Sequence, residues 1–428
     1  MSLPPTSVHS GRVVVLSASI GDGHNTAARE LARRLTARGQ DVDVLDFLEL
    51  LPLKLGSLLR RIYALQLSIC PRSYGSLYAG LEDSSHAISV VRWMLSLGRR
   101  RFLKALQGCS GVVVTYPLAG QVLGKLRSQS KLEVPLWIYL TDFSVHPLWV
   151  VPEADMHLVL HQVVADQVHA LSVFAKVRVS GSLVSPAFTR RPADKEPKHE
   201  LRSSLGLPLK QPIALLVAGS WGVGKVVQTA QEILASGRAI PVVMCGRNAK
   251  LVTDIKRRGL GIAIGWTNAM HDYMNAADVL VHNAGGMSSL EGLASGLPVL
   301  SMNCLPGHGQ ANAAAMESAG LARHVDTTLG FAAIFEQVLD KPVIAPRSLF
   351  GDDPSDDVCD FLERDARAKP LHTQPVQPSR GMRRKVAVGA LGVTLIAVFA
   401  VSPIGVAVAK PIYRSHPNLT PHPSFRHW

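Results

Sequence analysis

One pattern occurs twice in this 428-residue chain: a short apolar run, a glycine-rich loop, then an amphipathic helix. Residues 13–17 (VVVLS) lead into Gly21-Asp22-Gly23-His24 and a helical pattern over 25–38. Gly39 stops it, and a second apolar run follows at 42–45. Residues 213–218 (IALLVA) lead into the loop 219–224 and a helical pattern over 226–235. A short apolar run without alternation suits a strand buried on both faces, and strand, loop, helix and strand in succession build a parallel sheet. Further strand-like runs lie at 111–115, 136–140, 157–160 and 176–179, then at 241–245, 261–264, 279–281 and 298–301. Between the two sets stands a polar, proline-punctuated stretch, 190–199 (RRPADKEPKH). The expected fold class is therefore α/β, with two Rossmann-like domains, 11–189 and 190–369, facing a central cleft. In open parallel sheets ligands bind beyond the carboxyl ends of the strands, so both domains present their loops to that cleft.

Composition narrows the class. A hydrophobic share of 47% with 18% charged residues supports sizeable cores and excludes a wholly disordered chain. The five cysteines, Cys70, Cys109, Cys245, Cys304 and Cys359, form neither a disulfide framework nor a zinc pattern, which fits a reducing cytoplasm. The net charge of +13 is concentrated in residues 1–150 and 380–428. Basic ends point to nucleic acid or anionic lipid. No nucleic-acid recognition motif or aromatic platform is present, so lipid is favoured.

The first ten residues hold no apolar run, so no secretory signal is expected. Residues 386–409 carry no charge and, as a helix, would span about 36 Å, enough to cross a bilayer core of about 30 Å. They follow a proline-rich and basic tether, 370–385. Arg380, Arg383, Arg384 and Lys385 precede the apolar run, against Lys410 and Arg414 after it. The expectation is one C-terminal transmembrane helix in the cell membrane, single-pass, with residues 1–385 facing the cytoplasm.

Five loops carry candidate chemistry. In 17–25 (SASIGDGHN), Gly21 and Gly23 allow a sharp turn, and His24 at the helix start can take a proton from a hydroxyl. In 219–225 (GSWGVGK), the spacing nearly matches a P-loop, but Val226 replaces the Ser or Thr that would hold magnesium, which argues against an NTPase. A loop lining a phosphate-bearing ligand survives that objection. The densest tract, 283–292 (NAGGMSSLEG), opens a helix whose free N–H groups suit a phosphate, with Glu291 expected in the first turn to accept ribose hydroxyls. In 306–312 (PGHGQAN), Gln310 and Asn312 suit sugar hydroxyls. In 140–147 (LTDFSVHP), Asp142 and His146 can reach the cleft, and Asp142 is either an orienting group or itself a base.

These tracts carry a resemblance. Residues 265–274 (GWTNAMHDYM), Ala276-Ala277-Asp278, Ala284-Gly285-Gly286, Glu291-Gly292 and Gly296-Leu297-Pro298 resemble the nucleotide-sugar subdomain of the monogalactosyldiacylglycerol synthase-like family of GT-B glycosyltransferases. These are relatives of the peptidoglycan N-acetylglucosaminyltransferase. The front tract 21–28 resembles the family's acceptor-side Gly-His loop. The resemblance implies a GT-B fold and an inverting hexosyltransferase. It implies transfer from a UDP-sugar to a membrane lipid hydroxyl, diacylglycerol above all, with no cofactor and no metal. It implies that Gly265 and Trp266 hold the uracil and that Gly219 and Ser220 border the diphosphate. It further implies phosphates on Gly285, Gly286, Met287 and Ser288, the ribose on Glu291, the sugar on Gln310, and His24 as base. Departures at Ile20, Asp22, Gly309 and Gln310 leave the sugar and processivity open.

An acceptor in a bilayer requires an enzyme that lies on one. Residues 53–63, with Arg60 and Arg61, and 90–106, with Arg99, Arg100, Arg101 and Lys104, have the composition of a basic amphipathic surface for anionic lipid. Two other readings share the architecture: a UDP-sugar epimerase, and a nucleotide- or lipid-binding protein without turnover.

Overall fold

The computed structural model describes residues 11–69, 98–189, 197–283, 286–325, 331–340 and 348–368. The 370–385 tether, the 386–409 segment, Gly285 and most of the 190–199 stretch lie outside them. Among the described residues, no helix is long and apolar enough to cross a membrane.

Two six-stranded sheets, both wholly parallel, lie within one compact unit, Met1–Val376. The first comprises β1 (Arg12–Ser17), β2 (Val42–Asp46), β3 (Cys109–Val114), β4 (Leu136–Tyr139), β5 (Met156–Val159) and β6 (Val177–Val179), in the order β2-β1-β3-β4-β5-β6. The second comprises β7 (Ile213–Val217), β8 (Ile240–Met244), β9 (Ile262–Ile264), β10 (Val279–His282), β11 (Val299–Met302) and β12 (Arg323–Val325), in the order β12-β11-β10-β7-β8-β9. The sequence pattern misses β12, which is short and carries Arg323 and His324. The apolar runs behave as strands covered on both faces: Val13 to Leu16 and Val112 to Val114 are all 0% exposed. Such burial removes apolar surface worth about 25 cal/mol per Å².

The strand orders decide where ligands can go. From β1 the chain moves one way to β2 and then back past β1 to β3. From β7 it moves to β8 and β9, then back past β7 to β10. Each reversal opens a crevice at the carboxyl ends of two neighbouring strands. The crevices lie at the loops after β1 and β3 in the first sheet and after β7 and β10 in the second. Glycine-rich tracts follow β1, β7 and β10 in the sequence.

The chain end departs from the expected division at residue 190. The helices Ser348–Gly351 and Pro354–Ala368, assigned by sequence to the second domain, pack on the first. Ser182 N donates to Leu349 O at 3.0 Å, the Phe361 ring meets Trp137 edge-on at 5.3 Å, and Arg38 pairs with Asp353 at 2.9 Å. A Cβ on Gly111 would lie 3.4 Å from Leu362, so β3 leaves room for this helix. The physical reason is an apolar stripe on the last helix, Val358, Phe361 and Leu362, which packs against Gly111 and Trp137 of the first sheet. Leu362 is 2% exposed, so Leu362→Ala should destabilise by about 2–5 kcal/mol. Hydrogen exchange checks this: amides of β3 and β4 should lose protection before those of β7 and β8. Loss confined to the second sheet would contradict the packing.

Candidate functional site

The Asp22–Ala37 helix begins three residues earlier than its apolar pattern indicates, with Gly21 as its extended N-cap. His24 therefore sits inside the first turn, at the β1/β3 crevice. Its carbonyl accepts from Thr115 Oγ1 at 3.2 Å, and its ring lies against Tyr116 and Trp149 at 5.3 and 5.9 Å. The β4 loop crosses above it. There Thr141 Oγ1 lies 3.1 Å from His24 Nδ1 and donates to Asp142 Oδ2 at 3.2 Å. Asp142 Oδ1 faces His308 Nε2 of the second domain at 3.5 Å.

The protonation pattern follows. Burial would raise the Asp142 carboxyl, but the facing His308, then His24 and the Thr141 hydroxyl, hold it below the usual carboxylate range. Asp142 is thus an anion that can only accept, and the Thr141 hydrogen goes to it. Thr141 oxygen is left to accept from His24 Nδ1–H, which places the imidazole lone pair on Nε2. Burial, the largest influence, keeps His24 below the ordinary imidazole range; Asp142 pulls it up and His308 pushes it down. A neutral imidazole with a free Nε2 is a competent proton acceptor. His308 is lowered by burial and raised by Asp142, with a net rise.

The second domain meets this group closely. A Cβ built on Gly286, first residue of the Gly286–Ala294 helix, would lie 2.5 Å from Asp142 Oδ1 and 2.8 Å from Thr141 O. Only glycine permits that approach. The start of a helix suited to a phosphate therefore stands directly against the residues that flank His24. A Cβ on Gly23 would lie 3.7 Å from Met287 Cβ, so the front loop touches the same turn. Asn283 Nδ2 donates to Val223 O at 2.7 Å, joining the β10 loop to the β7 loop. In the β7 loop Gly219, Gly222 and Gly224 have φ of +67°, +55° and +96°. Gly219 is exposed and Ser220 half-buried at the cleft.

Several residues missed by sequence reasoning complete the wall. Trp221 Nε1 donates to Ile20 O at 3.2 Å, and Arg247 pairs with Asp22 at 2.8 Å, so both tie the second domain to the front loop. Arg247 also stacks 3.5 Å over the Trp266 ring, which is 47% exposed beside Gly265. A Gly-Arg-Asn triplet after a strand was the available signal for Arg247.

Other expectations are corrected. Glu291 lies in the second turn of its helix, because that helix already starts at Gly286. Asn312 is 0% exposed, and its Oδ1 accepts from Phe143 N at 2.7 Å and Ser144 N at 3.3 Å, so it clamps the β4 loop. Buried His146 accepts from Leu148 N at 3.1 Å and caps a turn. Arg60 lies 3.5 Å from Asp46, which caps the next helix, and is held in the fold; Arg61 stays exposed. Gln310 is exposed in the first turn of the His308–Ser318 helix. Met287 is buried and Ser288 half-buried at the start of the Gly286 helix.

Burial pushes the Glu291 carboxyl up to about 8, with no charge opposing it. A folded-state value above the unfolded one means the native state holds the proton more tightly. The stability this brings is complete below pH about 4.5 and fades as pH rises to about 8. Glu291→Gln should therefore flatten the fall in melting temperature between those limits. Parallel melting curves for the two proteins would contradict this.

Comparison with known proteins agrees with this geometry. The family described as monogalactosyldiacylglycerol (MGDG) synthase matches residues 24–174. A "processive diacylglycerol beta-glucosyltransferase" of Bacillus pumilus is 26% identical over 330 residues, covering 74% of this chain and 84% of the relative. One of Bacillus cereus is 25% identical over 391 residues, covering 87% and 98%. Os79 from O. sativa, solved in complex with UDP, superposes with a TM-score of 0.53 at 13% identity, over 82% of this chain and all of the other. A sucrose-phosphate synthase from Thermosynechococcus elongatus gives 0.52 at 15% identity, over 83% and 98%. These two structures are similar in fold.

Proposed function

The chain belongs to the monogalactosyldiacylglycerol synthase-like family of GT-B glycosyltransferases, and from that premise we propose that it transfers a hexose from a UDP-sugar to the hydroxyl of diacylglycerol, with inversion, to make a glycolipid. The relatives' names favour glucose. The observation that carries this reading is the approach of Gly286 to Asp142, which puts a phosphate-type helix start against the His24 group.

Each residue then has a task. Backbone N–H groups of Gly286, Met287 and Ser288 receive the diphosphate and stabilise its charge as it leaves, aided by the helix dipole. Gly219 and Ser220 border the phosphates, Gly265 and Trp266 hold the uracil under the Arg247 lid, and Gln310 faces the sugar. Glu291 accepts the ribose hydroxyls, and binding there favours its ionised form. His24 Nε2 takes the proton of the lipid hydroxyl as the glycosidic bond forms. It does so from the first domain, opposite the UDP contacts, as inversion requires. Asp142 is the anion that supports the resulting imidazolium through Thr141.

The lipid arrives across a face of the first domain. Leu53 and Leu58 are 72% and 44% exposed, and Lys54, Arg61, Arg99 and Arg100 are exposed on neighbouring elements. Arg101 donates to Leu51 O at 2.9 Å, which brings those elements together. Exposed leucines among basic side chains suit the headgroup layer of an anionic bilayer. In this reading residues 386–409 add a permanent single-pass anchor, with the catalytic domains on the cytoplasmic side.

The test is transfer from radiolabelled UDP-hexoses into vesicles containing diacylglycerol, with the lipids extracted and separated. A labelled glycolipid is expected. Free UDP-sugar isomers with no lipid product would favour an epimerase instead. His24→Ala should lower turnover about 100- to 10,000-fold with UDP binding intact. Glu291→Ala should weaken UDP binding by about 1–3 kcal/mol in calorimetry. Full turnover in the first variant, or unchanged UDP affinity in the second, would reject the respective role.

A further inference from the structure

Three titratable side chains meet where the two domains touch: His24 of the first helix, Asp142 of the β4 loop, and His308 of the second domain. The function proposed above employs the first two and leaves His308 without a task. Yet His308 is the first residue of its helix, set by Gly307 at φ +75°, and its Nε2 faces Asp142 Oδ1 at 3.5 Å across the domain boundary. The contacts continue inward without a gap. Asp142 Oδ2 accepts from Thr141, whose oxygen meets His24 Nδ1.

We propose that His308 is a positioning residue for the base: brought against Asp142 when the domains close, it holds the carboxylate in line with Thr141 and offsets its pull on the His24 proton. His24 is then held neutral, and so able to accept a proton, over a wider pH range in the closed cleft. This rests on the reading of His24 as the base.

The argument is electrostatic. With His308 withdrawn, burial alone opposes the pull of the Asp142 carboxylate on the His24 proton, and the imidazolium, which cannot accept a proton, is favoured more. A second cation at the same carboxylate lowers that preference. The groups facing His24 are Asp142 from the β4 loop, His308 from the second domain and, ring to ring, Tyr116 before the Pro117–Ser128 helix. Asp22, on the same helix as His24, is itself paired with Arg247. The directions agree with the geometry: Asp142 raises His24 and His308 lowers it. The consequence is functional. A base favoured by closure acts most readily when donor and lipid are enclosed, and less while the donor is open to water.

The experiment measures kcat/KM against pH for the full-length protein, using the radiolabelled UDP-hexose accepted in the transfer assay and diacylglycerol vesicles. Calorimetry with UDP alone controls for folding and donor binding. The acid limb reports the base. His308→Gln should move that limb to higher pH by about one unit, the effect of removing one elementary charge at this range. UDP affinity should change by no more than about twofold. Asp142→Asn should move the limb the opposite way, and His308→Lys, which keeps a cation, should hold it near the parent value. A His308→Gln limb that stays in place or moves to lower pH would overturn the proposal. So would a loss of UDP affinity beyond about tenfold, which would make His308 a donor ligand. His24→Asn separates the two levels. If it keeps turnover and the limb, the base assignment is wrong and the coupling falls with it. If it abolishes the limb while His308→Gln leaves the parent limb in place, the coupling alone is wrong.

Discussion

The approach of Gly286 to the Asp142 carboxylate is the contact on which the site depends. Parallel sheets place every strand's carboxyl end on one edge, and the reversal of strand order opens a crevice there. This molecule has two such crevices, and the contact joins them into one. A side chain at 286 would hold the second domain off by the width of a methyl group. The Asn312 clamp, the Trp221 bond to Ile20 and the Arg247–Asp22 pair all act across the same boundary. All three are polar, and the Trp221 and Arg247 contacts are partly exposed, so they align the domains without welding them, as expected of a cleft that must admit and release a ligand.

Charge inside this cleft is arranged in two opposite ways. Asp142 lies between two imidazoles and stays ionised, which orients Thr141 and fixes the tautomer of His24. Glu291 has no such partner, and burial alone drives it up to about 8. Below the cleft, His282 shows the structural counterpart: buried between Ser289 and Ser301, it is pushed down to about 4 and serves as a neutral link between strand and helix.

Much of this was legible in the sequence, because burial on both faces writes unbroken apolar runs and because tight loops require glycine. Eleven of the strands correspond to such runs, and the glycine tracts at 21–24 and 219–224, with Gly286, fall at the cleft. What was not legible depends on partners distant in the chain. The final helix has an ordinary amphipathic pattern that does not say which sheet it covers. Asn312 looked like a sugar ligand until the β4 loop was seen to occupy it. Arg60 resembled a free membrane contact, but Asp46 holds it. In the sequence His308 is one residue of the 306–312 loop, and only the fold places it against Asp142.

The central claim is that a base on the first domain and a UDP cradle on the second act from opposite faces of one sugar carbon. Proton NMR of the purified glycolipid tests it most directly. Starting from the α-linked UDP-hexose used by the enzyme, the new linkage should be β, with the large anomeric coupling of two axial protons for a gluco- or galacto-configured sugar. An α-linked product would contradict the account, since no single displacement assisted by His24 could yield it.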